Sequence, residues 1–207
     1  VSHAKMLGYE VSSARAPKAT INISLNTQKT TATMPAGTAF TSTTDGTSYQ
    51  FVTISDITGT STGNAVPFDS TEIYEGTYIT TKYIVDSSDI DQRFIITNNR
   101  SDTTTLTVKV QNSVSDTTST TYTKATDISQ LSRSSTVYFL QEIDSGKFEV
   151  YFGDGIVSQS LSDGNIVVLS YVVTNKTQSN GASSFSSPSA IDTVTNITIT
   201  TVANASG

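Results

Sequence analysis

The sequence predicts a mainly β fold, an antiparallel β-sandwich or distorted barrel, with the end of one N-terminal helix ahead of it. Three observations carry this expectation. Thr and Ser together make up about a third of the chain, and Ile and Val far outnumber Leu. Such a β-branched, Leu-poor mixture suits pleated, half-buried surfaces and disfavours long helices. Several segments alternate apolar and polar residues, which puts every second side chain on one face of a strand. Turn residues recur at intervals of roughly 8–12 residues, the spacing of short antiparallel strands.

The elements follow in order. Residues 1–7 read as the last turns of a helix, closed by Gly8 in the left-handed position beyond a helix end. Ala19, Ile21, Ile23 and Leu25 share one face of the first strand. A turn at Met34-Pro35-Ala36-Gly37-Thr38 leads to Phe40, and Asp45-Gly46 marks a hairpin before a strand at 49–54. Residues 58–63 read as a polar loop. Pro67 opens a second group of strands, at about 77–85, 93–97 and 105–110, separated by turn-rich breaks. Residues 112–121 read as a loop. Thr126 or Asp127 caps a short helix ending near Ser132. Strands at 137–143, 147–152 and 166–173 are the clearest, with turns at Asp144-Ser145-Gly146 and Asp163-Gly164-Asn165 between them. Residues 183–189 are Ser-rich, and 195–202 alternate again with Ile197 and Ile199 inward. The expected organisation is therefore a helical end at 1–12 and a β-rich domain at 13–182, with 67–127 as a candidate inserted subdomain. A linker and strand at 183–207 lead toward a further, C-terminal part. The chain begins at Val1 without an initiating Met, and the expectation is a piece of a longer protein.

Composition narrows the chemistry. There is no Cys, which removes disulfides, thiolate metal sites and cysteine nucleophiles. His3 is the single His, so multi-histidine metal sites are excluded. No Trp offers a sugar-stacking platform. The net charge of −6 and pI near 4.6 repel phosphate backbones, which argues against a nucleic-acid partner. Apolar runs are far shorter than the ~20 residues that span a bilayer.

The candidate sites read as structure rather than chemistry. Phe152-Gly153-Asp154-Gly155-Ile156 lacks the helix and Lys of a phosphate loop. Asp154 and Asp163 alone are too few for a calcium loop. A tight turn accounts for it, with Gly at positive φ and Asp bonding its own backbone. Glu142 and Glu149 fall on neighbouring strands of a hairpin closed at 144–146, where a glycosidase pair would need facing carboxyls at about 5–9.5 Å; a solvated outer face accounts for them. Tyr74-Glu75-Gly76 reads as a turn whose Glu joins an ion pair. His3 reads as a solvent-facing or interface residue. Asn-x-Ser/Thr matches at Asn22, Asn99, Asn175, Asn196 and Asn204 are expected by chance in so Ser/Thr-rich a chain. Tyr138, Phe139, Phe148, Tyr151, Phe152 and Tyr171 fill the space between strands.

One series of motifs carries a resemblance. Tyr138-Phe139-Leu140-Gln141-Glu142, Phe148 to Gly155, Gly164-Asn165-Ile166-Val167-Val168, Tyr171, Thr174-Asn175 and Asn180-Gly181-Ala182 follow one another in order. Ahead of them come Leu7-Gly8-Tyr9, Ser13-Ala14-Arg15-Ala16, Pro35 to Phe40, Tyr49-Gln50-Phe51, Tyr74-Glu75-Gly76 and Gln92-Arg93-Phe94; Thr193 to Thr198 follows. Together they resemble the baseplate wedge proteins of contractile-tailed bacteriophages, the baseplate J-like family. Ser158 and Lys176 depart from the pattern, each standing where relatives often carry Gly.

The resemblance implies a structural role without catalysis or cofactor. It implies contacts with its own copies, with other wedge proteins and with the central hub. It implies a place in the inner baseplate ring, a part in relaying the trigger for sheath contraction, and a virion location after assembly in the host cytoplasm. The residues it marks as a structural motif are Tyr138, Phe152, Gly153, Asp154, Gly155, Asn165, Tyr171, Asn180 and Gly181. Two other readings stand beside it: a carbohydrate-binding or adhesin-type β module of a tail fibre, and a glycoside hydrolase using Glu142 or Glu149.

Overall fold

The computed structural model describes residues 12–126 and 131–207. The helix end expected at 1–8, with His3, and the core of the short helix expected after Thr126 lie outside the described residues. What is described is mostly strand, as the β-branched composition dictates. By compactness the chain divides into two units, one of Val1–Ala14 with Thr80–Ser170 and one of Arg15–Ile79 with Tyr171–Gly207.

The second of these units is built on a five-stranded sheet, curled as half a barrel. Its strands in chain order are β1 (Lys18–Asn26), β3 (Ala39–Thr44), β4 (Thr47–Val52), β6 (Ala65–Glu75) and β14 (Ile197–Ser206), in the spatial order β14-β1-β6-β4-β3. β1 shows the expected alternation: Ala19, Ile21, Ile23 and Leu25 are all buried. Asp45-Gly46 joins β3 to β4 with Thr44 opposite Thr47, the hairpin expected there. Phe40, Phe51, Met34 and Ile73 complete a fully buried core, and the Phe185 ring meets Phe51 edge to face at 5.0 Å.

Two expectations in this unit are corrected. Residues 58–63 are not simply a loop, because β5 (Ile57–Thr60) pairs with β2 (Thr31–Met34) as a small separate sheet. Pro67 does not open the second group of strands; it lies inside β6, the middle strand of the sheet. The period-two signal of β6 is broken by a β-bulge. Ile21 pairs with Thr71 and Ile23 with Phe68, so Asp69 and Ser70 together oppose Asn22. Ser70 takes φ 51°, and Asn22 Oδ1 accepts its N–H at 2.8 Å. One extra residue flips the frame and hides the strand from a simple alternation test.

The other unit holds most of a seven-stranded sheet in the order β7-β13-β9-β10-β11-β12-β8. The strands are β7 (Thr77–Ile84), β8 (Phe94–Ile96), β9 (Ser101–Gln111), β10 (Ser119–Lys124), β11 (Val137–Glu142), β12 (Phe148–Phe152) and β13 (Ile166–Val173). β10 begins within the stretch expected to be loop. β10 pairs antiparallel with β9, as β12 does with β11 and β8, whereas β10 and β11 run parallel. The sheet nearly closes on itself, as a distorted barrel does. Its end strands meet through a side chain: the Tyr83 hydroxyl on β7 donates to the Ile95 carbonyl on β8 at 2.7 Å. Such closure removes most of the open edge that a flat sheet would leave.

Candidate functional site

The Phe152 corner is organised from its aromatic ring outward. Phe152 ends β12, opposite buried Tyr138 on β11. Its ring sits edge to face with Phe94 at 5.6 Å and with Tyr122 at 5.4 Å, and Phe94 continues the chain to Tyr83. Each such pair adds about 0.5–1.5 kcal/mol beyond area burial. Burial also pushes the Tyr122 and Tyr138 hydroxyls above their usual pKa. Directly after the ring, a Cβ on Gly153 would collide with Ser158 Oγ. Only glycine lets the chain fold back over the buried Ser158. Asp154 Oδ1 accepts the Ile156 N–H at 2.9 Å, and Gly155 N–H donates to the Ser158 carbonyl at 3.0 Å. The Ile156 N–H, ahead of those of Val157 and Asp154, lowers the Asp154 pKa. The corner is thus a self-bonded turn. Asn165 acts similarly on the same unit: its Oδ1 accepts Ser162 N–H at 2.8 Å and its Nδ2 donates to the Asn112 carbonyl at 2.9 Å.

Tyr171, Asn180 and Gly181 belong to the other unit. Tyr171 is buried, Asn180 N–H donates to Thr177 O at 3.1 Å, and Gly181 N–H donates to Ala205 O at 2.8 Å. The nine motif residues are thus divided between the two units.

Two other motifs do converge. Glu75 ends β6 fully buried, at 0% exposure. Its Oε2 accepts Thr174 Oγ1 at 2.6 Å and Asn175 N–H at 2.9 Å, and its Oε1 accepts Asn175 Nδ2 at 2.8 Å. Tyr74-Glu75-Gly76 thus clasps Thr174-Asn175, a hundred residues on. The expected ion pair is replaced by this set of neutral donors, which satisfy a carboxylate that burial alone would make costly. Gly76 makes the clasp close: it has φ 129°, and a Cβ there would strike the Val173 carbonyl oxygen. The signal was available in the sequence. Counting by twos from Ile73 puts Glu75 on the buried face, where an acid demands partners.

Glu142 and Glu149 do not face each other. Glu142 is opposite Phe148, and Glu149 is opposite Gln141, so the two carboxyls leave opposite faces of the hairpin. Glu149 instead binds Arg93 through both oxygens, at 2.8 and 2.7 Å, and takes Gln141 Nε2 at 3.0 Å. The Arg93 bonds, with Gln141, hold its pKa below the usual carboxylate range.

An open cleft of about 400 Å³ lies beside β6, lined among others by Ile57, Gly59, Phe68, Asp69, Glu72 and Tyr74. On its rim Glu72 binds Lys18 Nζ at 2.7 Å and the Tyr74 hydroxyl at 2.9 Å. These bonds lower its pKa. Among the described residues, no group of three or more His, Cys, Asp and Glu is placed to hold a metal ion.

With this geometry in hand, comparison with known proteins gives one informative match. The chain is similar to the baseplate wedge protein gp6 of Enterobacteria phage T4, 35% identical over 80 residues. The match takes in 31% of this chain and only 12% of that protein's length. No family model matches. The likeness is partial, and it supports a baseplate-related relationship.

Proposed function

We propose that this chain is a structural component of a bacteriophage baseplate wedge. In this reading it forms part of the inner baseplate ring, touching its own copies, other wedge proteins and the hub, and it relays the trigger for sheath contraction. The observation that carries the reading is the 35% identity over 80 residues to a baseplate wedge protein. The fold is consistent with the role. Sheets pinned by a buried clasp and an aromatic corner suit a load-bearing part, and Thr- and Ser-rich faces bond across interfaces without the desolvation cost of charges. A net charge of −6 does not suit a nucleic-acid partner.

The test is location followed by assembly. Gold-labelled antibody raised against this chain is expected to mark the distal end of the tail in particles of the phage that encodes it. Label on the head, on the fibres or nowhere on the particle overturns the reading. Replacing Leu169 in the middle of β13 by Pro removes a ladder hydrogen bond and is expected to yield particles without functional baseplates. Normal contractile tails carrying that substitution would count equally against it.

A further inference from the structure

The two edges of the five-stranded sheet are treated differently. At one edge, β3 is covered: Thr41 and Ser186 exchange both backbone hydrogen bonds, at 2.8 and 3.0 Å. The other edge is β14. Its far end is also covered, since Ala205 exchanges hydrogen bonds with Gly181 and Ala182 at 2.8 and 2.9 Å. Its near end is not. Asn26 N–H donates to the Asn196 carbonyl at 2.9 Å, which makes that a hydrogen-bonded pair with β1. The register then puts Ser24 with Thr198 and Asn22 with Thr200. In an antiparallel ladder the residues between, Ile197 and Ile199, aim their N–H and C=O groups away from β1. Among the described residues those groups meet no backbone partner.

Exposed edges are ordinarily blunted with Lys, Pro or a bulge. The near end of β14 carries none. From Thr193 to Gly207 the sequence has no charged residue and no Pro, although the whole chain carries −6. An edge left neutral on an acidic protein is a strip along which two copies approach without repulsion. The pattern Ile197-Thr198-Ile199 also reads the same in both directions.

The geometry points to β14 as a self-pairing edge: two copies join antiparallel about a two-fold axis through Thr198. Ile197 of each copy then lies opposite Ile199 of the other, and the two pairs exchange four backbone hydrogen bonds. Thr198 meets its own counterpart as a non-hydrogen-bonded pair, with Cα atoms about 4.5 Å apart. This centre keeps the incoming strand clear of the covered end at Ala205. The contact is isologous, as a two-fold requires, and it joins two five-stranded sheets into one. So short a seam falls below the roughly 1,200 Å² of a stable interface. Pairing is therefore concentration-dependent in solution and is strengthened where copies are held side by side.

Thr198 is exposed, and its hydroxyl accepts only a 3.3 Å bond from Asn26 Nδ2, so substitutions there leave the fold in place. Sedimentation velocity on the chain over a concentration series is expected to show a monomer–dimer equilibrium. Thr198→Lys and Thr198→Glu each place like charges across the axis and are expected to be monomeric at every concentration, with unchanged circular dichroism. Mixed in equal amounts, the two variants are expected to recover the dimer. Thr198→Cys, in a chain with no other Cys, is expected to oxidise to a covalent dimer, since the Cα separation suits a disulfide. A wild-type chain that stays monomeric overturns the proposal. So does a Thr198→Lys variant that dimerises like wild type, a mixture that stays monomeric, or a Thr198→Cys chain that oxidation does not cross-link. The proposal rests on strand geometry alone: a chain that dimerised this way but marked no baseplate would sink the functional reading and leave this one standing.

Discussion

Replacing Glu75 tests whether the buried clasp holds its unit together. Its carboxylate takes three hydrogen bonds from Thr174 and Asn175 at 2.6–2.9 Å, each worth about 1.5–3 kcal/mol for a charged acceptor. Against them stands a desolvation cost of several kcal/mol for burying the acid. Glu75→Leu removes both terms but strands the donors, one on buried Thr174 and two on exposed Asn175. At about 1–3 kcal/mol for a donor that stays dry, and less where water reaches Asn175, the expected loss is about 2–4 kcal/mol. Glu75→Gln keeps one acceptor oxygen for Thr174 and Asn175 N–H, and the Asn175 amide can flip to meet the new NH2. Its expected loss is about 1–2 kcal/mol, the range of one charge-assisted bond weakened. Urea unfolding followed by circular dichroism and tyrosine fluorescence measures both, with equal m-values required for the comparison. A Leu variant as stable as wild type would refute the reasoning, as would a Gln variant that loses as much as Leu.

Other outcomes follow from the same contacts. Gly76→Ala, with φ 129° and the Val173 carbonyl in the way, is expected to cost more than about 3 kcal/mol, read as a fall in the urea midpoint. Phe152→Ala empties the meeting point of two edge-to-face pairs and, the ring being half-buried, is expected to cost about 2–3 kcal/mol, below the figure for a fully buried Phe. A double-mutant cycle on Arg93 and Glu149 is expected to give only a small favourable coupling, since the Arg side chain is 48% exposed and water screens the pair. Because Arg93 lowers the Glu149 pKa, that coupling is fully present above the unfolded value of about 4.3. It is lost as pH falls through the lower folded value. The stability gap between wild type and Glu149→Gln should therefore be flat near neutral pH and close only on strong acidification.

Much of the fold was legible because the strands that matter announce themselves. β1, β12 and β13 carry unbroken apolar patterns, and the Asp45-Gly46 and Asp144-Ser145-Gly146 turns sit where their chemistry demands. β6 was hidden by its bulge: Asp69 and Ser70 shift the frame between Phe68 and Thr71, and Pro67 reads as a breaker. β5 was hidden by composition, since Ile-Thr-Gly-Thr has a single apolar residue and forms only against β2. Residues 183–189 looked like a linker because six Ser and Pro residues surround one Phe. Yet that Phe185 is buried against Phe51, and Ser186 bonds Thr41. Two of the three boundaries between the units fall inside the β7 and β13 ranges, at Ile79 and Ser170, where no Gly- or Pro-rich stretch signals them. Of the candidate sites, the Gly153 corner was read correctly as a turn. The Glu75 clasp was not, because its partners lie a hundred residues away and no local pattern names them.

The most direct measurement is a cryo-electron microscopy map of the intact tail from the phage that encodes this chain. The account predicts density for both β-rich units in the baseplate, repeated around the hub, with copies of the chain in contact. A complete baseplate map without that density, or the same units found only in fibres or free of the particle, would contradict it.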